Sequence, residues 1–223
     1  MQNNTNYIVF GASSELARSF IMQINSDNIF CISRNTALLG KDSLFVEDYI
    51  DNIDKIIKFC RDIENPVIIF FNGYLMENRP DINPDAKQAT KTFEINFLIP
   101  FEITKKLQHE NLNIKKFVYI SSFAAVRFRY KNYIYGITKR LLEESIKSLN
   151  LENYLILRFG KINTDMSSSH STSIFDLDKD VAAKILIKNI KWSSGLKYSN
   201  PVTKFLSIII RFLPYKIIKY FNL

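Results

Sequence analysis

Cysteine and histidine are scarce in this chain, with two of each among 223 residues. Cys31 falls in a strand-like run and Cys60 in a helix-like run, with no metal-ligand spacing and no signal peptide ahead of them. We therefore expect buried, reduced thiols in a cytoplasmic protein. His109 and His170 are too few and too far apart for a metal site. The sequence thus excludes a disulfide scaffold and predicts no metal centre.

Acidic residues are absent after Asp180, whereas eight lysines and arginines follow it. Because the net charge of the whole chain is +8, the residues up to Asp180 sum to zero. The positive excess belongs to one segment and not to a broad basic surface of the kind that follows a nucleic-acid backbone. We predict no nucleic-acid partner.

Long apolar runs are also missing, and the longest uncharged run of the basic C-terminal segment, Phe205–Ile210, is far too short to cross a bilayer. Residues 201–223 mix lysines with Phe, Ile, Leu and Tyr, and Pro214 should divide them into two short helices. Such a segment is expected to lie on an anionic membrane with its lysines at the headgroups. The alternative is a tail packed on the core or on a second subunit of a homo-oligomer.

Strand-like and helical patterns alternate along the rest of the chain. Strands are predicted at about 7–11, 28–33, 43–47, 67–72, 115–121 and 153–159, and helices at about 14–25, 51–62, 86–109, 133–150 and 178–190. This alternation predicts an α/β fold with a single Rossmann-like, doubly wound parallel sheet. The strands are continuous runs of Ile, Val and Phe, which indicates helices on both faces. A basic amphipathic helical tail would follow.

The N-terminal segment NYIVFGASSELARSFIMQI reads as a strand, a turn of small residues and an amphipathic helix. Gly11 permits the turn, and the small side chains of Ser13 and Ser14 let the backbone approach a pyrophosphate at the helix N-terminus. Only one glycine is present, so an ordinary strand-to-helix turn is the alternative.

A second pattern combines Ser122, Tyr135 and Lys139. Four residues on a helix bring Tyr135 and Lys139 onto one face, where the ammonium group favours the phenolate and poises the phenol for proton transfer. Ser122, at the end of an apolar run, would hydrogen-bond a carbonyl oxygen where negative charge develops. A second Tyr-x-x-x-Lys at Tyr215 has no hydroxyl residue thirteen positions earlier, so we interpret it as chance.

These two sites, in this order, resemble the short-chain dehydrogenase/reductase family over residues 6–195. The family's glycine motif TGxxxGxG maps onto residues 10–17 as FGASSELA, with Glu15 and Ala17 replacing two glycines. The resemblance implies reduction of a small-molecule carbonyl by a nicotinamide cofactor in a catalytic domain of residues 1–198, followed by the tail at 199–223. It places Glu15 and Leu16 with Gly11, Ser13 and Ser14 at the cofactor.

Further family landmarks imply additional site residues. Asn72 and Gly73 correspond to the family's Asn-Asn-Ala-Gly, and Asn96 corresponds to the helical asparagine that holds a water in the proton relay. The segment RFGKINTDM, at residues 158–166, resembles the strand end whose backbone meets the nicotinamide carboxamide, which implies contacts from Ile162 and Thr164. Asp48 resembles the aspartate that contacts adenine. Tyr135 and Lys139 are implied to touch the cofactor as well.

Cofactor choice should be decided where the second strand ends, at Ser33-Arg34-Asn35. No acid is present there to accept from a ribose 2′-hydroxyl, and Arg34 could pair with a 2′-phosphate. The sequence therefore favours NADPH over NADH, and the alternative is that Arg34 is only a surface charge. About ten residues separate the second and third strands, too few for a full crossover helix.

Two smaller sequence resemblances narrow the range of expected substrates. The Glu in SSEL and the Leu-Pro of the tail resemble the branch that contains decaprenylphosphoryl-2-keto-ribose reductases, which implies a keto-sugar on polyprenyl phosphate and a place at the inner face of the membrane. A nucleotide-linked keto-sugar for surface polysaccharide is the close alternative. A dinucleotide-sensing or scaffold protein without turnover is the alternative from another class. The serine-rich segment 167–173 is expected to be a lid over the substrate or a loop without a role.

Overall fold

A seven-stranded sheet, parallel throughout, forms the centre of the protein. The computed structural model describes residues 5–24, 28–35, 42–75, 85–128, 130–167 and 176–220. The strands are β1 (Tyr7–Phe10), β2 (Ile29–Ser33), β3 (Ser43–Phe45), β4 (Val67–Phe70), β5 (Lys116–Ser122), β6 (Tyr154–Phe159), β7 (Ile162–Asn163), β8 (Leu177–Asp178) and β9 (Gly195–Tyr198). The sheet order is β3-β2-β1-β4-β5-β6-β9, and β7 pairs with β8 separately. The predicted doubly wound fold is confirmed.

Helices cover both faces of this sheet. They are α1 (Glu15–Gln23), α2 (Ile53–Arg61), α3 (Ala86–Phe93), α4 (Ile99–His109), α5 (Tyr133–Ser148), α6 (Lys179–Trp192), α7 (Pro201–Phe212) and α8 (Tyr215–Tyr220). One buried cluster joins the sheet to α2, α4 and α5 through side chains such as Ile103 and Leu142. A second joins the opposite face to α1 and α6 through Phe20 and Leu186. The two faces of the apolar strands therefore pack into two separate hydrophobic cores.

The structure corrects the predicted helix at 86–109, which is two helices joined by a π-helical turn at Glu94–Leu98. Pro100 explains the interruption because it has no backbone N–H and its ring crowds the carbonyl four residues earlier. That carbonyl belongs to Asn96. The π-helical turn therefore contains Asn96, which the sequence had already indicated as a site residue.

Strand β9 was not predicted. Its sequence GLKY is short and none of its four residues is buried, so it carries no core-strand pattern, yet it pairs with β6 at the sheet edge. Of the serine-rich segment, Ser167 ends a 3₁₀ turn, and residues 168–173 lie outside the described part of the chain.

The basic tail forms the two predicted helices. Asn200 caps α7 by accepting from the Thr203 N–H (2.8 Å), and Pro201 occupies the first turn. Pro214 separates α7 from α8. Among the described residues, no helix has both the length and the apolar character needed to span a membrane.

Candidate active site

The start of α5, which carries Tyr135, packs closely against the turn that follows Ser122. A Cβ atom on Gly136 would lie 2.7 Å from the carbonyl oxygen of Ala124, in the turn that follows Ser122. Only glycine lets the helix backbone approach the turn so closely. Gly136 was not identified from the sequence, although a glycine inside a helical pattern beside a candidate catalytic tyrosine is a usable signal.

Ser122 is the last residue of β5, and its hydroxyl group can both accept and donate a hydrogen bond. Its Oγ accepts from the Ala124 N–H at 3.1 Å. A hydroxyl that accepts one bond still carries its own proton. Ser122 can therefore donate to an oxygen atom placed above the end of the strand.

Lys139 is buried under Tyr135. Its Nζ donates to the carbonyl oxygens of Asn72 (3.3 Å) and Ile120 (3.1 Å) and lies 5.9 Å from the centre of the Tyr135 ring. The pKa of Lys139 is lowered to about 8, because burial lowers it by more than the nearby Glu143 carboxylate raises it. The ammonium form is thus present at neutral pH but is easily titrated.

A buried ion pair supports the helix from the sheet side. Glu143, one turn after Lys139, accepts from Ser121 Oγ (2.5 Å) and from Arg158 Nε (2.8 Å) and Nη2. Arg158 also donates to the Tyr198 hydroxyl at 2.6 Å, and both charged side chains are almost fully buried. Sequence reasoning missed this group, although an arginine inside the apolar run YLILRF requires a buried partner.

The Asn96 side chain is already committed. Its Nδ2 donates to the Tyr74 carbonyl (2.7 Å), and its Oδ1 accepts from the Tyr74 N–H (3.0 Å). Its backbone carbonyl lacks the α-helical donor that Pro100 would otherwise have provided. Any role of Asn96 toward a water therefore depends on the backbone oxygen, while the side chain fixes the segment that follows Gly73.

The turn after β1 has the geometry expected for an anion at a helix N-terminus. Gly11 has φ +69°, and a Cβ there would lie 3.0 Å from the Asn72 N atom. Ser14 caps α1 by accepting from the Ala17 N–H at 3.2 Å. Ser13 is partly accessible in the same turn, and Leu16 anchors the helix in the core. The first N–H groups of α1 point toward the carboxyl edge of the sheet.

Glu15 does not stand as an isolated negative charge beside this turn. Its carboxylate accepts from the Asp165 N–H (2.6 Å) and from Lys179 Nζ (3.0 Å). These two bonds, the Asp165 bond first, hold the pKa of Glu15 below its usual value. Glu15 therefore links the start of α1 to the segment after β7 and to the start of α6.

Arg34 and Tyr49 lie together at the end of β2. The exposed Arg34 has its Cζ 5.8 Å from the centre of the Tyr49 ring. The buried Tyr49 hydroxyl donates to the Ile32 carbonyl (3.2 Å) and accepts from the Gly11 N–H (3.3 Å). Tyr49 was not identified from the sequence. It closes the gap between the carboxyl ends of β1 and β2 beneath Arg34.

Asp48 is partly used by the backbone. Its Oδ1 accepts from the N–H groups of Ile50 (2.7 Å) and Asp51 (3.0 Å), which makes a turn ahead of α2. No bond of this turn uses Oδ2. Asp48 lies beside Tyr49 at the carboxyl edge of β3.

Asn72 provides a direct indication of a missing partner. Within the described residues, its buried Oδ1 has no hydrogen-bond partner. A buried acceptor left unpaired costs about 1–3 kcal/mol, so native structures normally supply a donor. Asn72 lies just after β4, and its carbonyl oxygen accepts from Lys139 Nζ at 3.3 Å. The O–H group of a ribose could donate a hydrogen bond to this oxygen.

The strand-end segment lies across the same edge. Ile162 pairs with Leu177, and the Thr164 N–H donates to Ser167 Oγ at 3.2 Å. Met166 reaches back so that its Cε would lie 3.8 Å from a Cβ on Gly73. The structure thus gathers the sequence-predicted residues from β1, β2, β4, β5, β7 and α5 at one edge of the sheet.

Comparison with known proteins supports the fold. No family model matches the sequence. A short-chain dehydrogenase from Burkholderia cenocepacia, solved in complex with NADP, has a TM-score of 0.81 at 13% identity over 96% of this chain and 100% of its own. One from Streptomyces avermitilis has 0.75 at 16% identity over 94% and 93%. One from Sphingobium yanoikuyae, solved with NADPH, has 0.73 at 12% identity over 92% and 92%. The chain has the fold of these dehydrogenases.

Replacing Gly136 by alanine should disturb the contact between α5 and the turn after Ser122. The new Cβ would meet the Ala124 oxygen at 2.7 Å, so we expect a loss of about 1–3 kcal/mol in unfolding free energy, measured by urea denaturation. The partly exposed Ile137→Ala on the same helix is the control and should cost less. Equal stability of Gly136→Ala and the unsubstituted protein would show that the contact does not constrain the helix.

The Glu15 link should depend on pH in a defined direction. Because its pKa is lowered in the folded state, Glu15 stabilises the fold above the pKa that it has when unfolded, and this contribution disappears as the pH falls through the folded value. The Tm difference between the unsubstituted protein and Glu15→Gln should be present at pH 7 and shrink in acid. A difference that stays constant with pH would contradict the ionic link.

Proposed function

We propose that this protein is an NADPH-dependent oxidoreductase of the short-chain dehydrogenase/reductase type that reduces a carbonyl group. The observation that carries the proposal is the position of the Lys139 ammonium group, which lies 5.9 Å from the centre of the Tyr135 ring and 3.3 Å from the carbonyl oxygen of Asn72, the residue with the unpartnered acceptor. The shared fold with dehydrogenases that were solved with NADP or NADPH supports the same assignment. The function assigned to each residue rests on its geometry and on the family resemblance.

The chemistry follows from the positions of these side chains. A bound nicotinamide would supply a hydride to the carbonyl carbon. Ser122 donates a hydrogen bond to the carbonyl oxygen and stabilises the charge that develops there. Tyr135 gives its proton to that oxygen, so the product is an alcohol and the tyrosine is left as phenolate. Lys139, held beneath the ring as an ammonium group, stabilises this phenolate.

Returning a proton to Tyr135 requires a path from solvent. The Asn96 carbonyl, which lacks its α-helical donor because of Pro100, can hold a water. Lys139 Nζ binds the Asn72 carbonyl and lies 5.9 Å from the centre of the Tyr135 ring. We assign the relay to the backbone oxygen of Asn96, while its side chain keeps Tyr74 in place.

The remaining residues would hold the cofactor. Backbone groups of the turn at residues 11–16 would bind the pyrophosphate, Asn72 and Gly73 would contact ribose, and Asp48 would meet adenine through its Oδ2. Ile162 and Thr164 would offer backbone groups to the carboxamide. Arg34 would pair with the 2′-phosphate, a contact that NADH cannot make.

Substituting Tyr135 by Phe tests the proton donor. Turnover of a carbonyl substrate should fall by orders of magnitude, whereas NADPH binding, measured by nicotinamide fluorescence, should persist. Tyr154→Phe is the matched control because Tyr154 is the first residue of β6 and so lies at the amino ends of the strands, away from the candidate site. Unchanged turnover in Tyr135→Phe would overturn the assignment. Cofactor binding without turnover in the unsubstituted protein would favour the sensing or scaffold alternative.

Arg34 is tested by cofactor preference. Arg34→Ala should weaken NADPH binding at least about tenfold, because a charge-assisted bond to the 2′-phosphate is lost, and leave NADH binding nearly unchanged. Lys55→Ala is the control, because it removes a charge near the end of β3 that, among the described residues, binds the Phe45 carbonyl. Equal weakening of NADPH and NADH would contradict the 2′-phosphate contact.

Helix α7 of the tail presents its apolar side outward. Its buried residues are Thr203 and Ser207, whereas the exposed ones include Phe205 (63%) and Phe212 (78%). A helix that packs on its own protein normally has the reverse arrangement. Helix α7 therefore leaves these apolar side chains uncovered by the described part of the chain, although Ile218 of α8 is buried. A membrane or a second subunit is the remaining partner for α7.

Charge favours an anionic membrane as that partner. Lys204, Arg211, Lys216 and Lys219 flank the apolar side, and no acidic residue follows Asp180. Apolar side chains at the headgroup boundary and lysines at the phosphates match an interfacial helix. We propose that residues 199–223 form a docking segment at the inner face of the membrane. A keto-sugar on polyprenyl phosphate is the substrate class that this location suits best, ahead of a nucleotide-linked keto-sugar.

Membrane docking is tested with Phe205→Glu combined with Phe212→Glu. The intact protein should co-sediment with vesicles of equimolar phosphatidylcholine and phosphatidylglycerol, and the double variant should not. Met22→Glu combined with Trp192→Glu, two similarly exposed apolar residues elsewhere, is the control. If the intact protein stays in the supernatant and forms a dimer that only Phe205→Glu and Phe212→Glu dissociate, the second subunit is the partner.

A further inference from the structure

A cleft of about 600 Å³ lies on the side of α5 that faces away from Tyr135 and Lys139. Its walls come from α5, from the turn after β5, from the ends of β6 and β9, and from α7. Its charged lining consists of five cations and one carboxylate, namely Arg127, Arg140, Lys147, Arg158, Arg211 and Glu144. We call this feature the cationic cleft.

Three of these cations are already engaged. Arg158 is paired with Glu143, Lys147 binds Glu144 at 2.9 Å, and Arg127 donates to the carbonyl of Arg211 at 3.1 Å and to two others at the end of α7. The Arg127 bonds fix the end of α7 against the turn after β5. Two walls of the cleft, α7 and the turn after β5, are therefore held together by hydrogen bonds.

The other two cations have no such partner. Within the described residues, the guanidinium groups of Arg140 and Arg211 make neither a hydrogen bond nor a salt bridge, although both line the cleft. The Glu144 carboxylate of the same lining is already paired with Lys147, so the positive charges of Arg140 and Arg211 favour a further anion in the cleft. The pKa of Glu144 is lowered, first by Lys147 and further by Arg140 and Arg158, which agrees with a positive potential in the cleft.

We propose that the cationic cleft is a binding site for a phosphoryl anion, distinct from the nicotinamide site. Guanidinium groups present paired N–H donors that match phosphate oxygens in a bidentate manner, so Arg140 and Arg211 are the residues that would bind it. Arg140 lies on α5, which also carries Tyr135 and Lys139, and Arg211 lies on α7. The bound anion would hold these two helices together.

The phosphoryl group could come from either of two sources. Because α7 carries the exposed apolar side, a lipid headgroup at the membrane surface could reach the cleft by way of Arg211. A free phosphorylated metabolite could enter from solution. The chemistry that both sources share is an anionic phosphoryl group, which is a phosphodiester in phosphatidylglycerol and an ester or diphosphate in a soluble metabolite. This part of the proposal does not depend on carbonyl reduction.

Binding is tested with inorganic pyrophosphate by isothermal titration of the full chain. Arg140→Gln combined with Arg211→Gln should weaken binding at least about tenfold, because two bidentate donors are lost. Lys184→Gln combined with Lys188→Gln, which removes the same charge from the exposed face of α6, is the control and should bind as the unsubstituted protein does. Equal affinity in both double variants would overturn the proposal, since binding at the N-terminus of α1 would survive both changes.

A second readout identifies the source. If Arg140→Gln with Arg211→Gln loses pyrophosphate binding and also co-sediments less with phosphatidylglycerol vesicles, the headgroup is the source. If it loses pyrophosphate binding alone, the source is a soluble phosphoryl compound. Loss of vesicle binding with unchanged pyrophosphate binding would reduce the cleft to a general charge effect and overturn the site. Neither assay uses turnover, so failure here is separable from failure of the reductase assignment.

Discussion

The buried pair of Glu143 and Arg158 is the interaction on which the site depends. It joins α5 to β6 and, through Ser121, to β5, so the helix that carries Tyr135 cannot shift without separating two charges in the core. A buried pair of this kind is a weak source of net stability, but breaking it leaves an uncompensated charge and is costly. Its value here is positional, since it fixes the helix that holds the ammonium group of Lys139.

Two backbone features complete this arrangement. Gly136 lets α5 approach the turn after Ser122, and Pro100 forces the π-helical turn that leaves the Asn96 carbonyl without its usual donor. Neither residue has a reactive group. Their effect is to bring together reactive groups that lie far apart in the sequence, at the carboxyl edge where ligands bind in open α/β sheets.

Local patterns carried most of what the sequence could predict. The strand, turn and helix around Gly11 and the spacing of Ser122 from Tyr135 and Lys139 depend on neighbouring residues, so periodicity and motif chemistry sufficed. Strand β9 escaped prediction because an edge strand with half-exposed residues has no core pattern. The Glu143 contact could not be predicted because it depends on which strands α5 packs against, a property of the assembled fold.

The most direct test of this account is the titration of Lys139 itself, followed by the ¹⁵N shift of side-chain amines with Lys139→Gln used for assignment. Burial offset by Glu143 predicts a resonance that is missing in the variant and has its midpoint near pH 8. This would show a buried ammonium poised beside Tyr135 at neutral pH. If that resonance titrates near ~10.4, as a solvent-exposed lysine does, Lys139 is not held in the core and the proposed control of Tyr135 is contradicted.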